Sequence, residues 1–234
     1  IPETAPGAQA GAVPIISGVD ISSSNVQVNN LTVTNGSITT AAGGTHSNLS
    51  IQNITINGAS GTSVDSIELG EGGMLDGTIL LNNITIAQGG AGHNGIDINN
   101  VAATATVIGS NIVVDGSGDD GLDIDVVASG AIFNFNNVNL INSGDEGLNV
   151  VLGDGSFTFS NLDISGSAED GIQILGSDGT FMFDSASSVA GSGEDAFYLE
   201  GLSPNVNFAG TINHSGAGQA VELIDLLDST IIFG

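Results

Sequence analysis

Lysine and arginine are absent from this sequence of 234 residues, which contains 26 Asp plus Glu and has a formal net charge of −26 at pH 7. Binding to nucleic-acid phosphates depends on Lys and Arg, so this absence excludes direct nucleic-acid recognition. The negative charge also disfavours adhesion to anionic membranes. Every enzyme class that needs a basic side chain as base or clamp is excluded on the same ground.

Cysteine is absent as well, which excludes disulfides and thiolate metal sites. No apolar run approaches the roughly 18 residues of a membrane-spanning helix, so we expect no direct insertion into a membrane. Hydrophobic residues make up 40% of the chain, which is too many for disorder and enough for one sizeable core. Strong acidity without Cys or Lys predicts an extracellular or cell-surface protein.

A short motif recurs at intervals of about 25 residues. It consists of Asp-Gly or a related pair followed by apolar residues at alternate positions. Its copies begin at Asn94, Asp120, Glu146, Asp170, Asp195 and Gln219, with an earlier copy at Asp65. Two further alternating segments lie out of phase with it, as in Phe133-Asn134-Phe135 and Val138-Asn139-Leu140. Period-2 alternation over three to five residues predicts short half-buried strands, and the intervening Gly and Ser clusters predict turns.

Three short strands per repeat cannot bury their apolar faces alone, so successive repeats must stack on one another. The sequence therefore predicts an all-β solenoid of about eight coils, each with three strands. An antiparallel β-sandwich would also contain short strands, but it would not maintain a 24–26-residue register through six copies.

The pattern resembles the right-handed parallel β-helix proteins, a superfamily that includes pectin-degrading enzymes, phage tailspikes and autotransporter passengers. The resemblance rests on the motif of Asp170-Gly171-Ile172-Gln173-Ile174 and on the strands that end in Asn, and it covers roughly residues 20–230. It implies a single-stranded right-handed parallel β-helix, closer to surface and adhesin passengers than to the enzymes. We assign residues 17–234 to this domain and residues 1–16, which contain Pro2, Pro6 and Pro14, to an extended N-terminal arm.

One Asn per coil forms the first candidate column. Its predicted members are Asn30, Asn53, Asn83, Asn111, Asn137 and Asn161, with Ser185 replacing Asn in the next coil. An amide both donates and accepts hydrogen bonds, so stacked Asn side chains can bond along the ladder and satisfy a corner of the backbone. We interpret this column as structural.

Acidic pairs form the second candidate column, at the same turn of four successive coils. These residues, here called the acidic turn column, are Asp119, Asp120, Asp145, Glu146, Glu169, Asp170, Glu194 and Asp195. Carboxylates about 5 Å apart repel each other, and no basic residue compensates them. Either the turn is simply solvated, or some pKa values are raised, or a cation lies among the carboxylates. Ca²⁺, which takes six to eight oxygen ligands, is the candidate cofactor.

Paired carboxylates also serve glycoside hydrolysis, and stacked coils supply suitable separations. Gly118-Asp119-Asp120-Gly121 is similar to the double-Asp motif of polygalacturonases. That family combines it with Gly-His-Gly and Arg-x-Lys motifs, which this chain does not contain. We therefore predict no enzyme and name no catalytic residue. A carbohydrate-active enzyme or a glycan-binding surface module that uses the acidic turn is the alternative.

The leading functional prediction is an extracellular structural protein that builds a filament, sheath, matrix or adhesin. Ser229-Thr230-Ile231-Ile232-Phe233-Gly234 is apolar and predicts a final strand with an unpaired edge. Head-to-tail association through such edges and the N-terminal arm would make a homopolymer. A glycan or a host surface is the other partner considered.

Overall fold

The computed structural model describes residues 13–58, 65–87 and 92–234 of the chain. These residues form strands and turns and contain no helix, so none of them belongs to a helix able to cross a membrane. The strands are, in chain order, β1 Ile15–Ile16, β2 Val19–Ile21, β3 Gln27–Thr34, β4 Ile38–Thr40, β5 Thr45–Asn57, β6 Ile67–Leu69, β7 Met74–Ala87, β8 Ile96–Val101, β9 Thr106–Asp115, β10 Leu122–Val127, β11 Ile132–Ile141, β12 Leu148–Gly153, β13 Ser156–Ser165, β14 Ile172–Leu175, β15 Thr180–Phe183, β16 Ser188–Ala190, β17 Phe197–Glu200, β18 Asn205–Phe208, β19 Thr211–Asn213, β20 Glu222–Ile224 and β21 Thr230–Phe233.

Each strand pairs in parallel with the equivalent strand of the coil before and after it. The first ladder contains β2, β4, β6, β8, β10, β12, β14, β17 and β20. Ile96, Leu122, Leu148, Ile172 and Phe197 are register partners in it, at the intervals that the repeated motif predicts. The predicted all-β parallel β-helix of about eight turns is confirmed.

The second and third ladders share their longest strands. Strands β3, β5, β7, β9, β11 and β13 bend in the middle, so the first half of each lies in the second ladder and the last part in the third. After β13 the two halves separate into β15 and β16, and then into β18 and β19. Of the predicted N-terminal arm, residues 1–12 lie outside the described part, and Ile15 and Ile16 pair with Thr32 and Val33 in the third ladder.

Inward-facing apolar side chains from all three ladders fill one continuous core. Aliphatic residues fill the early coils, whereas Phe residues stack in the later ones. The rings of Phe133, Phe157 and Phe181 follow one another with centroids 4.7 and 4.6 Å apart. Stacked rings add to the apolar burial that holds the coils together.

The bend between the second and third ladders occurs at the predicted Asn column. Asn30, Asn53, Asn83, Asn111, Asn137 and Asn161 all have φ between 53° and 57°, a left-handed conformation that Asn tolerates better than most residues. Their amides also bond along the stack: Asn137 Nδ2 donates to Asn111 Oδ1 at 2.9 Å, and Asn161 Nδ2 donates to Asn137 Oδ1 at 3.0 Å. The predicted corner ladder is thus present.

The replacement predicted at Ser185 is wrong. Four residues separate Phe183 from Ser188, whereas three separate their register partners Phe159 and Asp163. The extra residue changes the corner, and Asp184 Oδ1 accepts the backbone N–H of Asn161 at 2.9 Å. A carboxylate therefore caps the last Asn of the column.

Substitution of Asn137 separates the two contributions of this corner. Asn137→Gly keeps the left-handed backbone and loses the side-chain bonds, so we expect a loss of about 1 kcal/mol in unfolding free energy. Asn137→Ala adds the cost of a left-handed residue with a Cβ, for a total of about 2–3 kcal/mol. Urea unfolding followed by circular dichroism measures both. Asn134→Ala, at an exposed strand position, is the control, and an equal loss there would contradict the argument.

The corner that follows the first ladder is built differently. Asn100, Val126 and Leu152 occupy it in successive coils, with φ of 52°, 52° and 53°. Asn100 Nδ2 donates to Gly70 O at 3.1 Å, whereas Val126 and Leu152 are about half exposed and border an apolar groove of about 500 Å³. A β-branched residue in this conformation is strained.

Val126→Asn is expected to stabilise the protein by about 1 kcal/mol, because it relieves this strain and loses little packing from a half-exposed side chain. Thermal unfolding of the variant beside the original protein measures the effect. Val113→Asn, at a strand position in the third ladder, is the comparison and should not stabilise. A destabilising Val126→Asn would show that the groove contacts outweigh the strain.

Candidate functional site

The acidic turn column lies where it was predicted, at one turn of four successive coils immediately before the first ladder. The two members of each pair have different surroundings. The second members are buried, with only 5–7% of their surface exposed: Asp120, Glu146, Asp170 and Asp195. The first members are partly or fully exposed: Asp119, Asp145, Glu169 and Glu194. The stack therefore divides the eight predicted ligands into an inner and an outer row.

Aspartates of the inner row accept hydrogen bonds from the backbone of the following coil. Asp120 Oδ1 accepts the N–H of Glu146 at 3.0 Å, and Asp170 Oδ1 accepts the N–H of Asp195 at 2.8 Å. The same bond occurs one coil earlier, where Asn94 Oδ1 accepts the N–H of Asp120 at 3.0 Å. Hydrogen bonds to a charged acceptor are stronger than neutral ones. The inner carboxylates thus have a structural role at this turn.

Glycine follows the inner acid because the coils approach closely there. A Cβ at Gly121 would lie 2.6 Å from the carbonyl oxygen of Gly147, and one at Gly147 would lie 2.7 Å from that of Gly171. Neither distance is compatible with an undisturbed Cβ contact. The Asp-Gly pair of the motif therefore combines a side-chain acceptor with a close backbone contact.

Proximity of like charges alters the titration of the outer row. Burial and a hydrogen bond with the Asp145 carboxyl raise the pKa of Asp119 to about 7. Repulsion by Asp145, with some burial, raises the pKa of Glu169. In the inner row, burial and the hydrogen bond with Asp120 raise the pKa of Glu146 to about 9. Protons therefore bind this turn more tightly than they bind isolated carboxylates.

A second polar column, which the sequence analysis did not identify as a site, lies beside the turn on the outer face of the first ladder. This strand column contains Glu68, Asp97, Asp123, Asn149, Gln173, Tyr198 and Glu222, which are register partners in successive coils. They occupy the variable position between the two apolar residues of the repeated motif. That position is acidic in the three earliest copies of the motif, and this recurring acid was the feature of the sequence that could have identified the column.

Amide side chains connect the strand column to the inner row. Asn149 Nδ2 donates to Asp120 Oδ2 at 3.1 Å, and Gln173 Nε2 donates to Glu146 Oε1 at 2.9 Å. Asn94 Nδ2 donates to Asp123 Oδ2 at 3.0 Å. In a chain without Lys and Arg, amide N–H groups provide the side-chain donors to these carboxylates.

The pKa values of Asp97 and Asp123, two members of the strand column, are strongly raised. Burial, with the like charges of Asp65 and Asp125, raises the pKa of Asp97 to about 8. Burial, with the like charges of Asp125 and Asp120, also raises the pKa of Asp123 to about 8. Asp97 is only 8% exposed although it faces outward from the sheet. Neighbouring side chains on the same face therefore cover it.

No protein-family model, curated protein or solved structure matches this chain. Within residues 13–58, 65–87 and 92–234, no three His, Cys, Asp or Glu side chains are grouped so that they could hold a metal ion by themselves. A cation at either column would therefore need amide, backbone or water oxygens in addition to carboxylates.

The raised pKa values give stability an unusual dependence on pH. Asp97, Asp123 and Glu146 bind protons more tightly in the folded chain, with pKa values of about 8, 8 and 9 against ordinary values of 3.8 and 4.5. The folded state then holds more protons than the unfolded state between about pH 4 and pH 9, so stability falls as pH rises through that window.

We therefore expect the melting temperature, measured in EDTA at low salt, to be highest near the acidic end of this window and to fall steadily towards its alkaline end. Differential scanning calorimetry in matched buffers is the measurement. Glu146→Gln should flatten the slope, whereas Asp20→Asn, at an exposed site, should leave it unchanged. A melting temperature that rises with pH would contradict the assignment.

Proposed function

We propose that this chain is an extracellular structural protein whose coils stack end to end with those of further copies. The observation that carries the proposal is the direction of the hydrogen bonds that the repeated polar side chains make. The Asn column and the inner acidic row both bond from coil to coil along the solenoid axis. Such groups strengthen a stack as coils are added, which suits a filament, sheath, matrix or adhesin element.

The final described coil supports association with a second copy. Leu223 continues a core position and is 47% exposed, whereas its register partner Leu199 is fully buried. Phe233 is 38% exposed, whereas its partner Phe208 is 1% exposed. A further coil would cover the edges of β20 and β21 and these apolar side chains, and a copy of this chain supplies one with matching ladders.

Charge opposes this association, and divalent cations would relieve it. Two copies with a net charge of −26 each repel one another over about 10 Å at moderate salt. The outer row of the acidic turn column faces solvent and presents the carboxylates that Ca²⁺ prefers. We therefore propose that Ca²⁺ bound along this turn promotes end-to-end assembly. Within the β-helix superfamily, the proposal places this chain with surface passengers and without catalytic activity.

Negative-stain electron microscopy of the purified chain, in millimolar Ca²⁺ and then in EDTA, tests the proposal. We expect ordered fibres in Ca²⁺ and their loss in EDTA. Leu223→Asp should abolish the fibres, because it places a charge in the apolar end. Leu152→Asp, which adds the same charge at a half-exposed corner on the flank, is the matched control and should still assemble.

Circular dichroism establishes that both variants fold before they are compared. Short rods of uniform length under both conditions would contradict end-to-end assembly. That result would favour the alternative of a glycan-binding or carbohydrate-active module, for which glycan screening is the next measurement. Equal loss of fibres in both variants would show that added charge, and not the end surface, controls assembly.

A further inference from the structure

Three consecutive coils present buried oxygen atoms that have no hydrogen-bond partner. The atoms are Asp97 Oδ1, Asp123 Oδ1 and Asn149 Oδ1, at register-matched positions of β8, β10 and β12. Asp125 Oδ1, two residues along β10 from Asp123, is in the same condition. Buried acceptors in proteins are almost always satisfied, so a row of unsatisfied ones needs a physical explanation.

Several other carboxylate oxygen atoms around this row do have hydrogen-bond donors. Asp123 Oδ2 accepts from Asn94, and Asp120 accepts from both Glu146 N–H and Asn149 Nδ2. Asp120 and the second oxygen atom of Asp123 thus have amide or backbone donors. Asp97 is more than nine-tenths buried, and Glu68 and Asp123 flank it on the adjacent strands.

Protons are the alternative occupants of this row. A proton on Asp97 could bond to Asp123, and a second proton, on Asp123, could bond to the amide oxygen of Asn149. The carboxyls of Asp65, Glu68, Glu71 and Asp125 act on Asp97 with negative charge, and the charge of His93 acts on Asp65. This negative environment attracts a cation as well as protons.

A divalent cation can instead join the oxygen atoms of two adjacent coils. Ca²⁺ binds oxygen at about 2.4 Å, so two ligands on opposite sides of the ion are about 4.8 Å apart, which matches the spacing of adjacent strands. Two carboxylates, with water in the remaining positions, form an ordinary hard-oxygen ligand set. This set holds two carboxylates, which agrees with the lack of three grouped acids or imidazoles among the described residues.

We propose that the outer face of the first ladder holds a divalent-cation site between the carboxylates of Asp97 and Asp123, which lie on adjacent coils. The site is separate from the acidic turn column, where the outer row faces solvent. It belongs to the single chain and does not depend on end-to-end assembly.

Isothermal titration of Ca²⁺ into the full chain, dialysed against chelator at neutral pH and low salt, tests the site. Asp97→Asn keeps the size of the side chain and removes one ligand charge, so we expect Ca²⁺ affinity to fall by about tenfold or more. Asp20→Asn removes the same charge from an exposed position and should change affinity by less than about twofold. Glu194→Gln, in the outer row of the acidic turn column, reports Ca²⁺ bound at that turn separately from Ca²⁺ bound at the strand column.

Thermal unfolding gives the independent reading. In EDTA, Asp97→Asn should raise the melting temperature, because the amide adds N–H donors beside the unpartnered oxygen atom of Asp123. In Ca²⁺ the original protein should gain stability and the variant should gain little. If Asp97→Asn fails to fold by circular dichroism, Asp123→Asn takes its place with the same expectations.

Two results would overturn the proposal. Equal Ca²⁺ affinity in Asp97→Asn and the original protein would place the ion elsewhere, as would an effect of Glu194→Gln alone. Absence of any Ca²⁺ binding, together with a melting temperature that depends on pH, would show that protons occupy the row. Fibres seen by electron microscopy without binding at this site would leave the proposed structural function intact and remove only the site.

Discussion

Parallel, in-register stacking of coils is the constraint on which this structure depends. Each side chain lies about 4.8 Å from the equivalent side chain of the next coil, so any residue type that recurs in the repeat becomes a continuous column. Asn and Phe gain from this arrangement, through the amide bonds of the corner and the ring contacts of the core. Stacked carboxylates repel one another, because each lies beside another negative charge and the sequence contains no Lys or Arg.

The structure compensates its acids with dipoles in place of opposite charges. Backbone N–H groups and the amides of Asn149 and Gln173 donate to the inner row. An amide is neutral, so it can be buried between coils without the desolvation cost of an ammonium group. Amide donors are distributed unevenly along the stack, because the strand column holds amides at Asn149 and Gln173 but acids at Asp97 and Asp123. Among the described residues, the buried carboxylate oxygen atoms without a partner therefore belong to Asp97, Asp123 and Asp125.

The sequence was sufficient to predict the repeat register, the parallel ladders and the Asn column at a corner, because each depends on a local pattern that recurs. The sequence did not predict which side chains are buried on the outer face of the first ladder. Asp97 alternates with Ile96 and Ile98 and so is expected in solvent, yet its stacked neighbours cover it. The first-ladder strands of the earliest coils were not identified, since β2 and β4 lack the Asp-Gly pair. The extra residue after Asp184 displaced Ser185 from the corner in a way that spacing alone did not reveal.

If cations bind as proposed, then cation binding, proton binding and coil stacking are linked through the same carboxylates. A ligand that binds the stacked form and not the unfolded chain stabilises the stack in proportion to the logarithm of its concentration. Each added coil extends the charged columns, so the repulsion that must be neutralised grows with the length of the stack. At a junction between two copies, the first ladder of one would continue from Glu222 of the other and place further acids in register. Conditions that stabilise a single chain, namely mild acidity or divalent cations, are therefore the conditions that should favour its assembly.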